Sequence, residues 1–92
     1  DSDPLNKYAY VEDALLNVGQ RLLNEKKPAD ALKLFQIDKE KNPASFRAYF
    51  AIGAAYSEMG NKQPAIENLE QALKLDPKNY GVAQLLREMQ QK

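Results

Sequence analysis

The side chains that most often carry out chemistry in proteins are scarce in this sequence. The chain of 92 residues contains no histidine and no cysteine, which removes thiolate nucleophiles and the commonest zinc ligands and general bases. Carboxylates remain, and Glu67 and Glu70 are spaced to share one face of a helix, where a solvated surface is the usual explanation. Asp38 lies within an apolar pattern that predicts partial burial. Because no partner acid or base is evident for Asp38, a structural role is favoured over catalysis.

No sequence motif of an enzyme is present either. The chain lacks the glycine-rich phosphate loops, the GxSxG elbow and the HExxH zinc motif. Basic and acidic residues balance at 13 each, so no long-range field favours nucleic acid or anionic lipid. No apolar run approaches the roughly 18 residues that span a bilayer. We therefore predict that the chain is not an enzyme, uses no cofactor or metal, and has neither a nucleic-acid nor a membrane partner.

The elements that carry these residues repeat along the chain. When the sequence is shifted by 34 positions, identical residues coincide and apolar residues coincide with apolar ones. Such a period indicates a repeated helical unit that stacks on its neighbours. The coinciding identities are Ala14 with Ala48, Gly19 with Gly53, Ala31 with Ala65, and Pro43 with Pro77.

Caps and breakers predict where the helices begin and end. Pro4 favours a first turn, and apolar residues then recur at spacings of three and four to about residue 24, with a break before Glu12 left open. A second helix is predicted over about 28–41. Ser45, Asn61 and Asn79 are candidate N-caps for three more helices. These helices should end at Gly60, near Leu75 and at the end of the sequence, respectively.

The repeated residues resemble the tetratricopeptide repeat family. The first copy matches the family's pattern less closely than the second. In the second copy the matching residues are Tyr49, Ile52-Gly53, Tyr56, Ala65, Leu69 and Pro77. The resemblance implies an all-α, right-handed solenoid of two helix-turn-helix repeats. We expect an extension of the first helix over 1–11, repeats over 12–45 and 46–79, and a polar capping helix over 80–92.

The two repeated glycines predict close helix packing. Glycine inside a helix costs about 1 kcal/mol relative to alanine, a cost that a tight helix crossing would explain. Ala31 and Ala65 are the small residues expected on the facing helices. A stack of only two repeats also leaves self-association possible through an edge formed by Leu5, Tyr8 and Val11.

The resemblance also implies a partner-binding face. In the family, the first helix of each repeat builds a concave groove that binds a protein or peptide. On this sequence the groove would comprise Asp13, Leu16, Asn17, Gln20, Asn24, Arg47, Phe50, Ala54 and Ser57. The basic carboxylate clamp of chaperone-binding members is absent, because its positions hold Leu16, Gln20, Ala51, Gly81 and Leu85. An apolar segment with few charges is the expected ligand.

A narrower resemblance leaves a second function open. The order of the segments 31–35, 43–45, 53–56 and 60–62, together with Asp38, is similar to a repeat-containing tail of exported bacterial serine hydrolases and esterases. That resemblance implies a non-catalytic C-terminal accessory domain that packs on a catalytic domain. It slightly favours a periplasmic or secreted location over the cytoplasm. The identity of the partner is not predicted.

Overall fold

A computed structural model describes residues 4–91, and the side chains of residues 12–91. The described part consists of five helices and their connections. The helices are α1 (Pro4–Asn24), α2 (Pro28–Lys41), α3 (Phe46–Glu58), α4 (Lys62–Leu75) and α5 (Tyr80–Gln91). These bounds confirm the predicted all-α repeat fold, and α1 continues without a break past Glu12.

The turns that follow α1 and α3 are the same motif in two copies. Asn61 donates its backbone N–H to the carbonyl of Tyr56 at 2.9 Å, and Lys27 donates to Leu22 at 2.8 Å. This five-residue link closes a Schellman motif, which needs one residue with positive φ. Gly60 supplies it in the second repeat with φ +79°, whereas Lys26 supplies it in the first with φ +67°. The motif explains why α3 ends at Glu58, two residues before Gly60.

The predicted N-caps differ in what their side chains do. Asn79 is a true cap, because its Oδ1 accepts the N–H of Val82 at 3.0 Å. Ser45 and Asn61 lie at the N-cap positions of α3 and α4, but neither side chain makes a capping hydrogen bond. The predicted positions are therefore correct, and the predicted capping role is wrong for these two residues.

Two buried apolar clusters hold the stack together. The first cluster joins α1, α2 and α3 through Leu23, Ala31, Phe35, Ile52 and Ala55. The second cluster joins α4 and α5 through Leu69, Ala72, Val82 and Leu86, and the aromatic side chains at the start of α3 pack against it, namely Phe46, Tyr49 and Phe50. Because α3 contributes to both clusters, it is the central helix of the structure.

Both repeated glycines lie where another side chain touches the helix backbone. A Cβ atom on Gly53 would lie 2.9 Å from Cγ of Leu69 and 3.3 Å from the carbonyl oxygen of Ala65. A Cβ atom on Gly19 would overlap the ring of Phe35, with Cζ at 2.7 Å. The prediction of close packing at these glycines is thus confirmed.

The equivalence of the two repeats fails at apolar positions of their first helices: Ala14 is exposed while Ala48 is fully buried, and Val18 and Ile52 show the same difference. Val18 lies at the same repeat position as Ile52, yet Val18 is 45% exposed while Ile52 is 2% exposed. Ile52 is buried because α2 of the preceding repeat covers α3. No helix precedes α1 in the described part of the chain, so Val18 has no such cover.

Candidate functional site: a groove between α1 and α3

A pocket opens between α1 and α3, the first helices of the two repeats. Leu16 and Gln20 line it from α1, and Phe35 of α2 contributes to its lining. The wall from α3 is formed by Arg47, Phe50, Ala51 and Ala54. The cavity has a volume of about 220 Å³, which accommodates a large apolar side chain.

Residue sizes explain why this space is hollow. Ala51 and Ala54 are three positions apart on α3 and face the pocket with only a methyl group each. Leu16 and Phe50 are larger residues that line the same pocket. Phe35, at 1% exposure, is a buried member of the first cluster. The pocket is therefore a mainly apolar hollow over a core residue.

Phe50 and Leu16 also belong to the packing of the fold. Phe50 is half-buried against the second cluster, and Leu16 packs against the first. Phe50 therefore takes part in helix packing as well as in the pocket. Each side chain buries part of its surface in the core and presents the remainder to the pocket, because it projects from the border between core and groove.

Arg47 is the cation at the edge of the pocket, and α1 holds it from two positions. Its Nη2 donates to Oδ1 of Asp13 at 2.7 Å. Its Nη1 lies 3.5 Å from Oε1 of Glu12. Since both carboxylates are from the neighbouring repeat, Arg47 links α3 to α1 and its charge is already matched before any ligand arrives.

A buried pair of acids lies behind Arg47. Asp38 is fully buried and Glu12 is 8% exposed. Asn42 Nδ2 donates to Asp38 Oδ1 at 2.9 Å. Burial, followed by the charge of Glu12, raises the pKa of Asp38 from 3.8 to about 6, although the Asn42 hydrogen bond and Arg47 oppose the shift. Asp38 is thus far more buried than expected, and it does have a partner acid.

Sequence reasoning missed Glu12 as a member of this cluster. At a shift of 34 positions, Glu12 coincides with Phe46 and Asp38 coincides with Ala72. Two acids therefore replace two apolar residues of the second repeat. Two such replacements in one repeat could have indicated that the acids lie together, because two buried acids tend to be found with a shared cation or proton.

The structure brings five of the predicted groove residues to the pocket. They are Leu16, Gln20, Arg47, Phe50 and Ala54. Asp13 lies beside them through its bond to Arg47. Asn24 is one turn further along α1 and accepts a hydrogen bond from Gln20 at 3.3 Å. Asn17 is exposed and does not line the pocket.

Ser57 contacts α5 rather than the pocket. Its Oγ lies 3.3 Å from Sδ of Met89 on α5, so it joins α3 to the last helix rather than lining the pocket. Phe35 lines the pocket as well, although it was not among the predicted groove residues. The proposed self-association edge of Leu5, Tyr8 and Val11 lies outside the described side chains and stays a prediction.

The described part of the chain offers neither a metal site nor a membrane-spanning helix. Among the described residues, no group of three or more acids could hold a metal ion. None of the helices in residues 4–91 is long and apolar enough to cross a membrane. Glu67 and Glu70 are both exposed, which agrees with a solvated helix face.

The stacked helix pairs and the groove between their first helices define an all-α helical-repeat protein. Residues 46–79 match the model of the family described as tetratricopeptide repeat. The fold is similar to the first TPR of Spaghetti (RPAP3), solved bound to the HSP90 peptide SRMEEVD, with a TM-score of 0.82 and 25% identity. The similarity covers 87% of this chain and 64% of that one. Both comparisons support the tetratricopeptide repeat family.

No curated protein sequence matches the chain. The resemblance to the tails of exported bacterial hydrolases, and the location that it implies, stay predictions.

Proposed function

We propose that this chain is a protein-interaction module that binds a peptide or protein segment in the groove between α1 and α3. The observation that carries the proposal is the pocket formed by Leu16, Phe50, Ala51 and Ala54 over Phe35. An apolar hollow beside a half-buried aromatic residue and an arginine is typical of a binding hot spot. The structural neighbour, which was solved with a bound peptide, supports the same use of the fold.

The ligand is a segment that inserts an apolar side chain and carries few charges. Arg47 is the charged residue of the pocket lining, and Asp13 and Glu12 already pair with it. A ligand carboxylate would have to compete with both of them and would meet their negative charge. An acidic segment such as SRMEEVD, the peptide of the structural neighbour, is therefore disfavoured here.

A pocket-filling variant tests the proposal. Ala54→Leu places three carbon atoms in the hollow without removing a contact that holds the helices together. Ala29→Leu is the matched control, because Ala29 is exposed on α2. The ligands are an array of short Ser-Gly-Gln peptides with a central Leu, Met or Phe, together with SRMEEVD. Affinity is measured by fluorescence anisotropy, and thermal melts of both variants establish that they fold.

We expect the wild type and Ala29→Leu to bind apolar array peptides and to prefer them over SRMEEVD. Ala54→Leu should bind them at least about tenfold more weakly, a loss of roughly 1.4 kcal/mol. Equal binding by the two variants would contradict the pocket. If no peptide binds, but the groove is covered by a further domain in a longer chain, the accessory-domain function is supported instead.

A further inference from the structure

The buried acids Glu12 and Asp38 leave two oxygen atoms without a partner. Glu12 Oε2 and Asp38 Oδ2 are both buried, and neither has a hydrogen-bond partner among the described residues. The other two oxygens are engaged: Glu12 Oε1 with Arg47, and Asp38 Oδ1 with Asn42. A buried carboxylate oxygen without a donor is costly, and here the cost would occur twice at one place.

We propose that Glu12 and Asp38 share one proton, held between Glu12 Oε2 and Asp38 Oδ2, and that this proton joins α1 to α2 and positions Glu12 for its contact with Arg47. One proton satisfies both partnerless oxygens, since one oxygen donates and the other accepts. All four carboxyl oxygens then have a partner. Asp38 thereby becomes a positioning residue for the groove, because it acts on Arg47 through Glu12.

The surrounding charges favour a shared proton over two separate ions. From α1, Asp13 adds a further negative charge, and from α3, Arg47 is the facing cation. Lys39, the residue after Asp38 on α2, lies over the ring of Tyr49 at 5.2 Å from its centroid. Three carboxylates would therefore face one guanidinium if every acid were ionised. A proton between two of them reduces the excess by one charge.

The direction of the pH response follows from the raised pKa of Asp38. In the folded chain its pKa is about 6, against an ordinary value of 3.8. Between these values the folded state holds a proton that the unfolded state has released. Stability therefore increases as the pH falls through this window and decreases as the pH rises through about 6.

The test compares melts of the full chain at about pH 5 and about pH 7.5, a range that spans the proposed release of the proton. The variants are Asp38→Asn and the control Asp30→Asn, an exposed position on the same helix. We expect the wild type and Asp30→Asn to melt at a higher temperature at the lower pH. Asp38→Asn should lose most of this difference, because its amide Nδ2 donates to Glu12 Oε2 at every pH.

A direct measurement follows the carboxyl carbons by NMR. The carboxyl carbon of Asp38 should respond with a midpoint well above its ordinary value, and Arg47 Nε should shift with it in the wild type but not in Asp38→Asn. An Asp38 carbon that titrates alone near its ordinary value would overturn the shared proton, as would an equal pH response of the melt in Asp38→Asn. An unresponsive Arg47 would overturn the positioning role. If Asp38→Asn fails to fold, Glu12→Gln provides the same comparison.

Discussion

The guanidinium of Arg47 lies 2.7 Å from the carboxylate of Asp13, a residue 34 positions earlier in the chain. Since 34 is also the period of the repeat, the two residues occupy the same position in successive repeats. The contact therefore links one repeat to the next on the face where the pocket opens. It also neutralises the cation of the pocket, which explains why we expect an apolar rather than an acidic ligand.

The two partners of Arg47 should differ in what they contribute to stability. Asp13 and Arg47 have side-chain exposures of 57% and 46%, so solvent screens their attraction. We expect Asp13→Asn to lower the free energy of unfolding by less than about 0.5 kcal/mol. Arg47→Gln should cost about 1–2 kcal/mol, because it leaves the buried Glu12 without its cation. Urea denaturation measures both, and equal losses would contradict the role assigned to Glu12.

Substitutions of the helical glycines should change stability in opposite directions, depending on whether another side chain contacts the glycine. Gly19→Ala should destabilise the fold, because the new methyl group overlaps the ring of buried Phe35. Gly53→Leu should cost about 2 kcal/mol or more through overpacking against Leu69. Gly81→Ala is the matched control: its Cβ would approach only Asn79 Oδ1 at 3.4 Å, so it should stabilise α5 by about 0.5–1 kcal/mol. Melts that move in the same direction for Gly19→Ala and Gly81→Ala would contradict this packing.

The turn after α1 offers a stabilising substitution. Lys26 adopts φ +67° at the position where the second repeat has Gly60, and a side chain in this conformation costs about 1 kcal/mol. We expect Lys26→Gly to raise the free energy of unfolding by about 0.5–1 kcal/mol and Gly60→Lys to lower it by about as much. Chemical denaturation measures both changes in the free energy of unfolding. A Lys26→Gly variant less stable than the wild type would contradict this expectation. It would show that the Lys26 side chain stabilises the fold by more than its positive φ costs.

The five helices follow from local signals that the sequence displays. Apolar spacing, Pro4 and Pro28 at helix starts, and Gly60 after α3 act within one or two turns of the residue concerned. The glycine contacts were also predictable, because the same residue at the same repeat position implies the same neighbour. For the groove, the resemblance to the tetratricopeptide repeat family implied that Leu16, Gln20, Arg47, Phe50 and Ala54 lie on one face, and these residues do line one pocket.

The features that were missed depend on what lies across the helix. Val18 and Ile52 share a repeat position but not an environment, since among the described helices a preceding one covers Ile52 but not Val18. Glu12 and Asp38 are 26 positions apart, a separation that no local pattern connects. Ser45 and Asn61 are good capping residues whose side chains make no capping bond in the fold. Each miss concerns a side chain whose surroundings are set by tertiary packing.

The most direct test of the groove is an NMR titration of the full chain with an apolar peptide. The ligand is the tightest array peptide, and its control is the same peptide with the central residue replaced by Ala. We predict that amide shifts concentrate at Leu16, Gln20, Phe50, Ala51 and Ala54 and that the control peptide causes much smaller shifts. Shifts that concentrate on α2 and α4, or equal shifts with both peptides, would contradict a binding pocket between α1 and α3.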